Sequence, residues 1–569
     1  MKKLFFAIFG AALLLASCAP VDLYVDQNPN RAVIEYTPGT FSMEVPGSIT
    51  PASTYDWLTF TQSGNTVNFT AKRNTTGLIR RAEFSIAGQP EKLLVFQKAH
   101  RLDAKLSAEV MSQSIGSATI ATTFYTDFSD DYESWGLAYG KTSELSSAKE
   151  LPQGSITNLG KLIADVDGLE DGVDYYFWPY VISTEGDKVY GSMLAVIPPV
   201  YIKEVCDLQA AIDGAKAYQE VRLLGGLTFP GGINILDNNK NKAISGGWND
   251  DFSAQSMDNL TVIDGNGKTF GFNIAADDSD KPINGYVKIS YLEIQNCTGG
   301  HGAGIHICGG PLTVNNCYFH NNDGEKGAAI GTREEDYSSY LDVYNCIFEN
   351  NTANGHGAVL GLGDGANTTD YVKANVVSNL FINNRSVKFG GYASIFICYN
   401  NTELNFINNT VVGNFNYYDG DAPYEGMKFR GNTRVLLANN IIVGNIISED
   451  KLLPPVEKPH PNYIGLGNSH AVFANNIIAG DVTENGNLTD VDNQYIPADA
   501  SYSNILDSNY KPLGTALGAG TFGTFEPSFE NGSTNPTSVQ TILDKFYTDL
   551  AGNARVTNGK VDLGCYQAQ

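Results

Sequence analysis

The strongest constraint on this chain is a repeat with a period near 30 residues in its C-terminal two-thirds. The segment LTVNNCYFHNN at 312–322 aligns with LDVYNCIFENN at 341–351, and Leu, Val, Asn, Cys, Phe, Asn and Asn coincide. Looser copies begin at Val377, Ile407, Ala438 and Ala474, and an earlier one centres on Ile294. Taking Phe319, Phe348, Phe381, Val412, Val443 and Ala479 as the anchor position, the spacings are 29, 33, 31, 31 and 36. Internal periods of this size mean a solenoid or a propeller. Leucine-rich repeats need a richer Leu consensus, and propeller blades need about 40 residues or more. A coil of short strands and turns remains, with equivalent residues stacked about 4.8 Å apart along the axis.

Stacking assigns roles within the repeat. Leu312, Val314, Cys317 and Phe319 are expected to point inward and bury against the next rung. Asn322, Asn351, Asn384, Asn414 and Asn445 should form a ladder, because stacked amides hydrogen-bond along the axis and Asn tolerates left-handed turns. Each rung carries a second strand after a glycine turn, at 300–307, 325–332, 355–362 and 390–397. Before the repeat, Asp207 caps a helix whose Leu208, Ala211, Ile212 and Ala215 share one face, the only convincing helix in the sequence. It suits the N-terminal end of a solenoid, where unpaired backbone must be covered.

The start of the chain reads as an address. Lys2 and Lys3 precede twelve apolar residues, Leu4 to Leu15, too short a run to span a bilayer. Leu15-Ala16-Ser17-Cys18 follows and resembles the lipobox of bacterial lipoproteins, which implies cleavage before Cys18 and a lipid on its thiol. That places the protein in the cell envelope, as an outer-membrane lipoprotein exposed at the surface and held by its N-terminal lipid alone. Residues 1–18 are thus leader and lipobox, and 19–30 a tether. Two alternating, turn-rich stretches follow, 31–99 and 102–198, each read as a small β-sandwich. Trp57, Asn74, Arg80-Arg81 and Gln97 give the first a resemblance to the BACON domain of Bacteroidetes proteins, with Trp57 as a core anchor. Leu169, Gly172 and Tyr175 look like a tyrosine corner, and the second stretch resembles fibronectin type III-like domains. A net charge of −25 argues against nucleic acid as a partner. Without Cys18 seven cysteines remain, a number that cannot all pair, and most are expected to be buried apolar side chains.

Residues 201–569 resemble the secreted right-handed parallel β-helix proteins of bacteria, a family that includes pectate-lyase-like enzymes. ISGGWNDDF at 244–252 and TVIDGNG at 261–267 match its early rungs. DLAGNAR at 549–555 and VDLGCY at 561–566 match its terminal segment of the choice-of-anchor type, where Arg555 would pair with Asp562. The fold expected is all-β: a right-handed single-stranded parallel β-helix preceded by two β-sandwiches. The fold does not fix the function, since it hosts lyases, hydrolases, adhesins and inert stalks.

Register suggests a site. His301, Lys326 and His356 fall on equivalent positions of three rungs, followed by His306, Gly331, Gly361 and Phe396, and then by Arg333, Glu334 and Asp364. A cationic stripe on so acidic a chain is a binding face for a glycan, made of His301, His306, Lys326, Arg333, His356 and Asp364. A polysaccharide lyase needs cations to neutralise a uronate and a base to take its proton, for which Lys326, Arg333, His301 and His356 are the candidates. Three classes stay open: a glycan-binding surface protein, which the modular surface architecture favours; a lyase or hydrolase on the same face; and an adhesin or stalk. No cofactor is assigned. Calcium is the one ion suggested, by Asp250-Asp251, Asp277-Asp278 and Asp419/Asp421, which lack a ligand-loop spacing. Tyr417-Tyr418, Tyr424 and Trp248 offer sugar-stacking surfaces.

Overall fold

The computed structural model describes residues 30–568 apart from 101, 127–130, 157–159, 171, 237–240, 276–284, 333–337, 358, 364–370, 388–395, 400, 418–425, 449–461, 468, 484–486, 529–533 and 535; of 356, 417, 448, 462, 463 and 483 only the backbone is described. Cys18, Arg333, Glu334, Asp364, the acidic pairs at 277–278 and 419/421, Tyr418 and Tyr424 therefore lie outside the described residues. The chain divides into two compact units, Met1–Val196 with two short exclusions, and Ile197–Gln569 together with those exclusions.

The first unit holds two pairs of sheets. In one, Arg31–Ile34, Lys92–Gln97, Arg80–Ile86 and Ile49–Pro51 face Gly39–Glu44, Thr66–Ala71 and Leu58–Ser63. Alternation buries Val67, Phe69, Ala82, Phe84 and Val95 between them. Trp57 sits in this core beside Tyr55, 8% exposed. In the other pair, Tyr132–Gly140 and Tyr175–Ser183 centre one sheet, and Ser117–Tyr125 lies between Gly160–Asp167 and Lys105–Ser114 in the second. His100 stacks on Tyr36 at 4.0 Å, and its Nε2 meets the Asp131 carboxylate, which also accepts from Arg73.

The second unit opens with α1, Leu208–Gly214, whose first turn is capped by the Asp207 side chain accepting from Ala210 N at 3.0 Å. Leu208, Ile212 and Ala215 cover the first rungs. Four parallel ladders follow, which the chain visits in turn. Sheet one has eleven strands, from Val200–Ile202 to Asn487–Val491, and sheet two has ten, from Thr228–Pro230 to Gln494–Ile496. Sheet three has six, from Thr298–His301 to Ile446–Ser448, and sheet four has nine, from Ile233–Ile235 to Asp481–Thr483. This is the expected parallel β-helix, right-handed as parallel crossovers of twisted strands are. Phe319, Phe348 and Phe381 pair in successive rungs, with their rings stacked at 5.1 and 4.9 Å.

Each apparent strand of the repeat is in fact two. The run 312–319 breaks at Asn316-Cys317, between sheets one and two, and 300–307 breaks at Gly302–Gly304, between three and four. The paired asparagines divide the corner's work. The first of each pair (Asn321, Asn350, Asn383) holds φ near +54, and the second (Asn322, Asn351, Asn384) is the ladder residue. The left-handed role therefore belongs one residue before the ladder. Each ladder Nδ2 donates to the next Oδ1, at 2.9 Å from Asn322 through Asn351, Asn384 and Asn414 to Asn445. A second ladder, absent from the sequence reading, runs through Asn379, Asn409, Asn440, Asn476 and Asn493 at the corner between sheets one and two. Both begin where cysteine replaces asparagine: Cys297 N and Cys346 N donate to the first Oδ1 of each ladder at 2.9 Å.

The anchor column slips by one after Phe381. Its partners are Val411, Ile442 and Ile478, whereas Val412, Val443 and Ala479 continue Ile382 on the outer side. These outer residues are apolar because the C-terminal segment covers them. Leu380, Ile382, Val412, Ile441 and Val443 pack against Ile505, Leu506, Ala516, Leu550 and Leu563. On sheet one, Val377, Ile407, Leu436 and Val472 pack against Val539, Leu543, Phe546 and Val561. The segment includes a second helix, α2 at Val539–Lys545, capped by Ser538. Arg555 is fully buried there and donates to Ser378 Oγ at 2.7 Å. Burial draws its guanidinium down to about 10, while Asp549 and Asp562 oppose the shift through their charge, so the expected Asp562 partner acts at a distance and together with Asp549.

Candidate functional site on sheet four

The rung is uneven around its circumference. From Gly310–Asn315 onward the connection from sheet one to sheet two is two residues in every rung, as at Asn316-Cys317 or Asn408-Asn409; the earlier rungs use three (225–227), twelve (249–260) and one (Tyr291). From sheet two to sheet three it is again two, as at Asn321-Asn322 or Gly413-Asn414. On both sides of sheet four the lengths vary: sheet three ends at His301, Ser386 and Ser448 where sheet four resumes at Ile305, Phe396 and Asn462. Sheet four in turn ends at Ile307, Leu362 and Phe429 where sheet one resumes at Gly310, Val372 and Arg434. Binding groups concentrate on variable connections carried by a rigid frame. The outer face of sheet four is therefore where a site belongs.

Two outward rows occupy that face. Strand pairing sets one as Asn234, Asn273, His306, Gly331, Gly361, Ile397 and Lys428. Ile397 stands where the sequence reading put Phe396, which instead pairs with Leu360 in the core. Two residues further along each strand, and so on the same face, come Cys308, Gly363, Tyr399 and Arg430. The backbone between sheets three and four folds back over this face. Gly302, Gly327 and Gly357 hold φ of +59 to +63 there, and a Cβ on Gly331 would lie 2.5 Å from Gly302 N. That closeness is why glycine is needed at 331.

The equivalence of His301, Lys326 and His356 holds in the strand register. The openness expected of Lys326 does not. Lys326 is 1% exposed; its Nζ donates to Gly363 O at 2.7 Å and lies 4.9 Å from the centre of the Tyr399 ring. Its stem crosses Gly361, where a Cβ would meet Lys326 Cγ at 2.7 Å. The lysine ties successive rungs together, and Gly361 exists to let it pass. His301 and His306 are half-buried with ring centres 6.4 Å apart. His356 sits on the same row by backbone alone.

His306 is the most perturbed of these groups. Burial, with the charges of His301 and Lys326, pulls its pKa from 6.5 to about 4, so the ring is neutral at neutral pH. Its Nδ1 meets Asn273 Oδ1 at 3.1 Å, and the Cys308 thiol lies 3.9 and 3.8 Å from its two nitrogens. Burial pushes that thiol up to about 12. Asn234 and Asn273, which sequence reasoning missed, continue the row; the signal was their register with His306 two and one rungs earlier.

The other candidates take structural roles. Trp248 is buried under the Arg222 guanidinium, 4.2 Å from its ring, and donates to Ser245 Oγ, so it is no sugar platform. The Asp251 carboxylate closes a turn onto Ser253 N and Oγ. Among the described residues no three His, Cys, Asp or Glu side chains converge as a metal would require. On sheet one, buried Glu403 is held by Tyr371, Lys373 and Arg434. Burial raises its carboxyl, but these three partners outweigh that and leave it below the usual range.

No family model and no curated protein matches the chain. Solved structures do. A pectate lyase of Erwinia chrysanthemi in complex with tetragalacturonic acid matches at 12% identity, over 61% of this chain and 91% of that one, with a TM-score of 0.14. A family 28 exopolygalacturonase of Yersinia enterocolitica matches at 9% identity over 69% and 96%, TM-score 0.18. A pectate lyase of Pectobacterium carotovorum matches at 9% over 61% and 92%, TM-score 0.13. The parallel β-helix of this chain rests on its own strand pairing.

Proposed function

We propose that this protein binds a polysaccharide along the outer face of sheet four. The observation that carries the reading is the coincidence on one face of the variable connections and a polar row, Asn234–Asn273–His306, flanked by His301. From Gly310–Asn315 onward the other corners keep one length and are spent on the ladders and the C-terminal cover. Export by the leader, a lipid on Cys18 and two sandwich modules acting as spacers complete a surface-protein arrangement. Binding is preferred to lyase chemistry because Lys326, the main candidate cation, is engaged by Gly363 O and Tyr399.

The test is retention of the full chain on immobilised polygalacturonate, alginate, chondroitin sulfate, xylan, mannan and arabinogalactan, with unsaturated-product absorbance followed in parallel. At least one polymer should retain it. Alanine at His301, His306 and His356 together should weaken that retention at least about tenfold, the weight of two or three polar contacts. Retention by none, or unchanged retention of the triple variant, places the function elsewhere. For the anchor, Cys18→Ser should move the protein from the membrane to the soluble fraction; an unchanged partition removes the lipid from the account.

A further inference from the structure

The hydrogen-bond chain behind His306 fixes which of its nitrogens carries the proton. It ends on Gly232 O, a carbonyl, which can only accept. Asn234 Nδ2 must therefore donate there, at 3.3 Å, leaving Asn234 Oδ1 for its neighbour. Asn273 Nδ2 donates to that oxygen at 3.2 Å, so Asn273 Oδ1 is turned to His306. His306 Nδ1 lies 3.1 Å from it and must carry the proton. Asn234 is itself pinned by Gln209 of α1, which accepts from Asn234 N and donates to Asn234 O, both at 2.8 Å. A neutral imidazole protonated on Nδ1 has an unprotonated Nε2.

That lone pair is not used by the thiol. The Cys308 sulfur is almost equidistant from the two ring nitrogens, at 3.9 and 3.8 Å. A donor on the Nε2 lone-pair axis would lie much farther from Nδ1 than from Nε2, so the sulfur sits against the ring and the axis stays clear of it. The row on either side, Asn234 and Asn273 before and Gly331 and Gly361 after, bears no formal charge. The Lys326 ammonium close by is drawn to a carbonyl and a ring face.

From this geometry we infer that His306 Nε2 accepts a hydrogen bond from a saccharide hydroxyl, and that this subsite takes an uncharged, hydroxyl-presenting sugar unit in preference to a uronate. A carboxylate brings only acceptors to a position that offers a lone pair and needs a donor. The inference rests on the glycan-binding reading and adds the class of sugar.

Two substitutions separate the acceptor from the scaffold. Asparagine at 306 keeps the contact to Asn273 and removes the outer acceptor, whereas glutamine can place an amide oxygen near the Nε2 position. The same polymers are used at low and high sodium chloride. The expected result is retention on xylan, mannan or arabinogalactan that salt does not weaken, reduced roughly fivefold in His306→Asn, the weight of one hydrogen bond, and restored in His306→Gln. Thermal unfolding of both variants should match the parent, which shows that the loss is local. Retention only on polygalacturonate, alginate or chondroitin sulfate, abolished by salt, overturns the inference and leaves glycan binding standing. Wild-type retention in His306→Asn on the neutral polymers overturns it too. If no polymer retains the parent chain, both readings fall.

Discussion

At the scale of single residues, the informative groups are those whose surroundings changed their chemistry. His306 is held neutral in the folded chain, while an unfolded chain would protonate it near 6.5. Between that value and the folded pKa of about 4, the unfolded state binds more protons, so stability is complete above 6.5 and falls as the pH drops towards 4. The loss attributable to this ring is at most about 3 kcal/mol. Denaturant unfolding across that range should show a steeper decline for the parent than for His306→Asn, which cannot titrate. Parallel curves would remove the linkage. Lys326 teaches a complementary point. A lysine among glycines reads from sequence as an exposed cation, yet those glycines make room for its stem. The acceptor that ends its path, Gly363, and the ring beneath it, Tyr399, belong to later stretches of chain. Sequence gave the register of His301, Lys326 and His356 because the glycine turn recurs with them. It gave no sign of burial, because the covering atoms lie 37 and 73 residues on.

At the scale of the element, each rung is made by its two asparagine corners. Asn384 accepts from Asn351 N and Nδ2, and donates to Phe348 O and Asn414 Oδ1. Leucine there would strand these buried groups on both neighbouring rungs, at a cost of about 3 kcal/mol. Asn354, exposed and with its side chain bonded among the described residues to the Asp323 carboxylate alone, is the control, and its replacement by leucine should cost less than about 1 kcal/mol. Equal midpoints in urea for the two variants would show that the ladder does not stabilise the fold. The stacking of rungs was legible because Phe319, Cys317 and Asn322 recur with Phe348, Cys346 and Asn351. The division into four sheets was not, since two adjacent asparagines with different duties look alike as letters. The slip after Phe381 was hidden for another reason: Val411 and Val412 are both apolar because both faces are buried, and period two disappears.

At the scale of the whole molecule, the C-terminal segment is the least visible part in sequence and among the most consequential. It lacks the repeat, yet it covers the outer faces of sheets one and two. A chain ending at Ile496 would leave Leu380, Val412, Ile441, Val443, Leu436 and Val472 facing water, a contiguous apolar surface of the kind that drives association. Such a truncation should bind a hydrophobic dye strongly and elute as aggregates where the full chain does not. A well-behaved monomer would show that the cover is dispensable.

The two-residue corners that run from Gly310–Asn315 onward have a further consequence for how such a protein can change. An insertion at a corner between sheets one and two, or two and three, would displace an asparagine from its stack and break a ladder for every later rung. An insertion beside sheet four leaves both ladders in register, and the chain already carries connections there of three residues and of thirteen. Selection, or a designer, can therefore rewrite one side of this solenoid almost freely while the other side keeps count. The molecule separates the part of its text that must stay in metre from the part that can carry a new message.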